Sequence, residues 1–254
     1  MLDRIQLKRE AKGIVRNARA SAYVCTLLYV IIVYVLDTVR VYVSGSLVAD
    51  LQALAPELEL PAFLLLPASF NPLVVLFVTI LTTLLASVIS AGYAIYHLGV
   101  RRGEEMAYST LFDGFSFVGK VILLDVIMSI FITLGTILFV IPGVIMVYRY
   151  RFALYNLCEN PEISVMEAMG LSSRQTYGHK MDLFVLDITF FGWQLLCTLT
   201  MGIANIWVTP YIMQTQLGYF QQIKKMKGIG WLPPEPGCEA DDGFHPQDPF
   251  GPGV

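Results

Sequence analysis

Four ionisable residues stand inside apolar runs, where charge is expensive: Asp125 in LLDVI, Arg149 and Arg151 in YRYRF, and Asp187 in VLDIT. Such residues are functional suspects by default. Counted from the polar ends of their segments, all four lie seven to nine residues in, about 10–13 Å deep along a helix. Two carboxylates and two guanidiniums at one depth allow two chemistries. They can neutralise one another in a lattice that holds helices together. Alternatively, Arg149 or Arg151 can hold an anionic group, such as a lipid phosphate, in a cavity open to the cytoplasm. Polar companions share their helical faces: Ser129 and Thr136 with Asp125, Gln194 and Thr198 with Asp187, and Asn205, Thr209 and Gln216 further on. Asp37 and Arg40 make a separate i,i+3 pair near the outer end of the first apolar segment.

The rest of the chain offers little to a catalyst. Neither aspartate is followed by the glycine of an intramembrane aspartyl protease, and no nucleophile motif, HExxH or Walker loop occurs. Cys25, Cys158, Cys197 and Cys238 form no CxxC, and His97, His179 and His245 have no ligand spacing. The cysteines read as small apolar residues. The expectation is a protein with no catalytic activity, no cofactor and no metal.

The elements that must position the charges follow from composition. The 254 residues are 56% hydrophobic and 15% charged, against about 25% charged in soluble domains. Apolar runs long enough to cross a bilayer occur at 21–43, 73–98, 181–200 and 203–222. The region 118–158 is too long for one span. Lys and Arg decide its count by their bias toward the cytoplasm. Residues 1–20 carry Arg4, Lys8, Arg9, Lys12, Arg16 and Arg19, whereas the 44–72 loop carries none. Arg101, Arg102 and Lys120 flank the third region, and Arg174 and Lys180 follow it. With both flanks cytoplasmic, 118–158 is expected to be a helical hairpin turning within 135–143, where Ile141-Pro142-Gly143 is either the turn or a kink within the fourth span. The predicted fold is all-α: a polytopic bundle of about six transmembrane helices with both termini cytoplasmic. A basic segment (1–20) precedes the membrane domain (21–227), and a Pro-, Gly- and acid-rich tail (228–254) is expected to be disordered. LPAFLLLP at 60–67 reads as an interfacial or re-entrant segment.

Between the fourth and fifth spans lies ENPEISVMEAMGLSSRQTYGHK. Asn160 is a candidate N-cap, Pro161 suits the first helical position, and Gly178 suits a C-terminal stop. These mark a helix over 161–177. Ile163, Met166, Gly170 and Tyr177 share one face, bordered by Glu167 and Arg174. His179 and Lys180 follow at the membrane edge, where Lys180 can snorkel. The segment is expected to be an elbow lying at the cytoplasmic interface, either as a connector or as a docking helix for a cytoplasmic protein.

IPG at 141–143, ENPEIS at 159–164, Glu167-Ala168, Gly178-His179-Lys180, LF at 183–184, LD at 186–187, GW at 192–193 and PY at 210–211 carry a resemblance. With them, the chain resembles an uncharacterised bacterial integral-membrane family, domain of unknown function 975. The resemblance is dense over the C-terminal half. It implies a bacterial cytoplasmic membrane and brings no activity with it. The functional expectation is a non-enzymatic protein that binds or moves a small amphiphile, lipid or peptide. A structural or partner-binding subunit docking through 161–177 is the alternative. The partners expected are the lipid bilayer, an anionic lipid or small amphiphile, and a cytoplasmic protein; nucleic acid is not among them.

Overall fold

Long apolar runs without internal breakers dictate helices here, and every regular element among the described residues is helical. The computed structural model describes residues 4–18, 21–45, 53, 70–200 and 202–230. The segment expected at 60–67 and the tail beyond 230 lie outside the described residues. The helices are α1 (Arg4–Asn17), α2 (Ala22–Ser44), α3 (Pro72–Arg102), α4 (Val118–Leu138), α5 (Val140–Tyr150), α6 (Ala153–Glu159), α7 (Val165–Thr176), α8 (Lys180–Leu199) and α9 (Asn205–Lys227). A 3-10 stretch (Tyr108–Phe117) leads into α4. Among the described residues, four helices are long and apolar enough to cross a membrane: α2, α3, the 3-10 stretch with α4, and α8.

The region 118–158 divides where a break was expected, at a single residue. Phe139 is extended (φ −163°, ψ 151°), ends α4 and starts α5. Its N–H donates to the Gly135 carbonyl, and its own carbonyl accepts from Gly143. The turn can be this tight because two glycines meet. A Cβ on Gly143 would lie 2.2 Å from Thr136 Oγ1, and one on Gly135 would lie 3.2 Å from the Gly143 Cα. Pro142 falls in the first turn of α5, where its missing N–H costs nothing. It is neither the turn itself nor a kink within a span.

A second break separates α5 from α6 at Arg151 and Phe152. The backbone groups it exposes are met from α7. Ser172 Oγ accepts from the Phe152 N–H (3.1 Å) and donates to the Arg149 carbonyl (2.9 Å), and Thr176 Oγ1 donates to the same carbonyl (3.2 Å). Buried backbone groups need partners, so the hydroxyls of α7 are what permit the bend.

The helix expected at 161–177 is therefore present but differs in start and orientation. It begins at Val165, where Ser164 Oγ accepts from the Glu167 N–H (3.2 Å). Asn160 does not cap it; its Oδ1 closes a turn onto the Glu162 N–H (3.2 Å). Lys120 of α4 explains the delay. Its ammonium donates to the carbonyls of Pro161, Glu162 and Ile163, holding them in non-helical geometry. The buried face is Val165, Ala168, Met169, Ser172, Gln175 and Thr176, while Met166 and Tyr177 of the expected apolar face point outward. Tyr177 ends the helix and Gly178 turns the chain at φ 80°, so α7 and α8 are separate.

Two further packing features shape the centre. The basic N-terminal segment forms α1, whose Leu7, Ala11 and Val15 are buried; it lies across α9, with Leu7 against Gly218. The last helix, α9, is too polar to pass as a span by composition, yet it is packed on α1, α2, α3, α7 and α8. Its Gln214, Thr215, Leu217, Tyr219 and Phe220 are fully inside.

Candidate functional site

Only two of the four charges meet. Arg151 and Asp187 form a two-pronged ion pair, Nη1–Oδ2 at 2.7 Å and Nη2–Oδ1 at 2.9 Å, and the Tyr148 hydroxyl donates to the same Oδ2 (3.0 Å). Arg149 faces elsewhere because residues two apart on a helix point about 200° from each other. Its Nε donates to Ser173 Oγ of α7 (2.8 Å). Asp125 accepts from the Ser87 hydroxyl of α3 and has no basic partner among the described residues. Asp37 and Arg40 are paired with each other and half-exposed.

Gln194 and Asn205 are not part of that charge layer. They line an open cavity of about 340 Å³ between α2, α3, α6, α8 and α9, with Gln194 exposed and Asn205 half-buried. Tyr29, Ser90, Tyr155, Thr209 and Gln216 complete its polar wall. Some of these groups are satisfied: Tyr29 Oη lies 3.2 Å from Ser90 Oγ, and Tyr155 Oη donates to Gln216 Oε1 (3.2 Å). The side chains of Gln194, Asn205 and Thr209 have no hydrogen-bond partner among the described residues. Tyr29, Asn205 and Thr209 also line a second space of about 530 Å³, which runs along α2 and α3 to Asp37 and Arg40. The two spaces share Tyr29, Asn205 and Thr209 as a common wall and together make an open passage along α2 and α9. Elsewhere on α8 and α9, α1 packs: Leu7 sits on Gly218, and Lys8 donates to Thr189 Oγ1 (2.8 Å) with its ammonium 4.7 Å from the Phe190 ring. Asp187 does not line these spaces.

The densest charge cluster lies at the other end of α9. Lys224 and Glu159 are ion-paired with side chains 1% and 2% exposed, and Arg102 Nη2 reaches Glu159 Oε1 at 3.6 Å. Burial pushes the Glu159 carboxyl above the ordinary carboxylate range, opposed by Lys224 and then Arg102. This triad ties together the ends of α3, α6 and α9. Asn156 and Gln175 exchange amide hydrogen bonds beside it (2.9 Å each). Lys227 donates to the Arg174 and Tyr177 carbonyls, closing the end of α7. Of the remaining residues expected at the elbow, Arg174 is exposed and Glu167 half-exposed. His179 Nδ1 lies 3.3 Å from Asp182 Oδ2, and Lys180 opens α8.

Sequence reasoning missed Glu159 and Tyr29. Glu159 directly follows an apolar run and precedes Asn160-Pro161, where an acid reads as a solvated span end. A sign of its burial was present in Lys224, at a matching distance from the end of the last span. No group of three or more His, Cys, Asp or Glu positioned to hold a metal occurs among the described residues. Cys25, Cys158 and Cys197 are free and buried.

No curated protein and no solved structure matches this chain. A family model does: residues 136–227 match the one described as "Protein of unknown function (DUF975)". The stretch from the α4–α5 hairpin through α9, which carries the Arg151–Asp187 pair, Glu159 and Lys224, and the Gln194 and Asn205 walls of the cavity, is thus a domain of unknown function 975.

Proposed function

We propose that this is a non-enzymatic, multi-pass protein of a bacterial cytoplasmic membrane that binds or moves a small amphiphile, lipid or peptide through the polar passage. One observation carries the reading: Gln194, Asn205 and Thr209 present unpartnered polar side chains to a cleft of about 340 Å³ that opens to the surface at Gln194. These groups are accessible rather than buried, so a polar ligand or water can reach them, and at bilayer depth such a partner is favoured over lipid. The volume lies within the roughly 300–1,000 Å³ range of small-ligand sites.

The same reading has six crossings: α2, α3, α4, the bent α5–α6 unit, α8 and α9, with both ends cytoplasmic. The Lys and Arg distribution supports it, and so does the length of α3, about 46 Å at 1.5 Å per residue. A polar α9 is tolerated in a crossing because it is sheathed by other helices rather than by lipid. In this arrangement α7 is the cytoplasmic elbow, held by Lys120 and Lys227.

A partner-docking subunit is the second reading. It is favoured by Met166 and Tyr177, which are 61% and 78% exposed on the outer face of α7 beside exposed Arg174. The two separate on co-purification. Protein extracted in a mild detergent and analysed by mass spectrometry should retain a small amphiphile that Asn205→Leu and Gln194→Leu lose. If wild type and variants retain the same lipids, while Met166→Glu releases a bound protein, the docking reading replaces the first.

A further inference from the structure

We infer that the cavity takes the uncharged, hydroxyl-rich headgroup of a membrane amphiphile, a glycosyl or polyol group, with the apolar tail lying along α2 and α3. The inference rests on the passage being a ligand site, as proposed above, and names the ligand class.

Charge is the first discriminator. No Asp, Glu, Lys or Arg lines the inner cavity. An ionic headgroup there would give up its hydration and meet no counter-charge. The nearest charges in the passage are Asp37 and Arg40 at its far end, and these neutralise each other. Guanidiniums elsewhere in the bundle have partners of their own: Arg151 pairs with Asp187, Arg101 bonds Gln221 and the Gln214 carbonyl, and Arg149 bonds Ser173.

Hydrogen-bonding capacity is the second. Gln194 and Asn205 each offer an amide oxygen and two N–H donors, and the hydroxyl of Thr209 both gives and accepts. Such mixed capacity suits a ligand whose own groups are both donor and acceptor. Vicinal hydroxyls are that kind of group. A carboxylate or phosphate uses only the donors and leaves the amide oxygens unmet.

Shape is the third. Tyr29 lines both spaces, and its ring is stacked on Tyr93, centroids 4.2 Å apart and planes 15° from parallel. This puts an aromatic pair in the lining, a surface suited to the C–H face of a sugar ring. The adjoining space of about 530 Å³ adds Val30, Val33 and Leu36 from α2, an apolar lane for an acyl chain.

The test uses the full chain in phosphatidylcholine nanodiscs. These carry equal small amounts of monoglucosyl diacylglycerol, phosphatidylglycerol and phosphatidylethanolamine with the same acyl chains, and retained lipid is counted by native mass spectrometry. The expected result is about tenfold preferential retention of the glucosyl lipid, the equivalent of one or two well-made hydrogen bonds. Asn205→Leu and Gln194→Leu should bring it to parity with the others. A wild-type arm guards against misfolded variants: octyl glucoside should displace the retained lipid at lower concentration than octyl phosphate. Preferential retention of phosphatidylglycerol that depends on Asn205 would overturn the uncharged class and leave the ligand site standing. Equal retention of all three lipids by wild type, with octyl glucoside no better than octyl phosphate, would overturn the inference. If the variants are then also indistinguishable from wild type, the ligand site falls with it.

Discussion

Replacing Lys224 with Met should be among the most damaging single changes in this protein, and its damage should depend on pH. The two side chains of the Lys224–Glu159 pair are 1% and 2% exposed. Removing the ammonium leaves a buried carboxylate with Arg102 Nη2 at 3.6 Å as its remaining cationic partner. Breaking a buried pair from one side costs about 3–5 kcal/mol, equivalent to a fall of roughly 6–20 °C in thermal midpoint at about 2–4 °C per kcal/mol. Burial already holds the Glu159 carboxyl above its ordinary range, and Lys224 is the larger of the two influences opposing that rise. Without Lys224 the folded-state value climbs further. The folded protein then holds the Glu159 proton more firmly than the unfolded chain does. Below the ordinary carboxylate range Glu159 is neutral in both states and the penalty vanishes. As pH rises through the folded-state value, the penalty appears in full. The loss should therefore be largest near pH 8 and shrink toward about pH 5. Thermal unfolding in detergent across that range measures it. The double variant Glu159→Gln/Lys224→Met should be more stable at neutral pH than Lys224→Met alone. Additive losses, or a Lys224→Met loss flat with pH, would show that the two groups are not coupled as a buried ion pair.

Smaller effects should sort by contact. Arg151→Gln and Asp187→Asn should couple by about 1–3 kcal/mol in a double-mutant cycle, whereas Arg149→Gln with Asp187→Asn should be additive, because Arg149 bonds Ser173 instead. Gly92→Ala should cost more than Gly170→Ala. Its new Cβ would lie 2.0 Å from the Leu111 carbonyl oxygen, and one on Gly170 meets nothing within 4 Å; expression and thermal midpoint of the pair decide it. Ser164→Ala should lower stability by about 1 kcal/mol as a lost N-cap, while Asn160→Ala, which removes only a turn contact, should cost less.

The long helices were legible because their signal is local: apolar runs of bilayer length, and a glycine-proline cluster that marks a break at 135–143. The loop-facing end of α7 was legible for the same reason, since Gly178 needs a left-handed backbone. Its beginning was not. Asn160-Pro161 is a good start by local rules, but Lys120, some forty residues earlier, takes the carbonyls that a helix would use. The inward face of α7 was misjudged because Ser172, Gln175 and Thr176 are polar. They are buried to satisfy a break in a neighbouring helix and an amide partner, which no periodicity of hydrophobicity can reveal. Depth counting brought four charges to one level without giving their azimuth, and azimuth separated Arg149 from Asp187. Gln194 and Asn205 were picked out as polar residues in apolar company; that they face a common space with Tyr29 depends on how α2, α8 and α9 pack.

The central claim is that polar solvent or ligand enters this bundle from the side bearing Asp37 and Arg40 and reaches Asn205. Cysteine accessibility tests it most directly. In a background with all four native cysteines replaced, single cysteines at positions 205 and 186 are challenged in intact cells with a membrane-impermeant thiol reagent. Position 205 should react, because Asn205 lines both spaces of the passage. Position 186 should stay unmodified, because Leu186 is fully buried. No reaction at 205 from outside, with reaction only in inverted vesicles, would contradict the account. It would mean that the passage faces the opposite side or is filled.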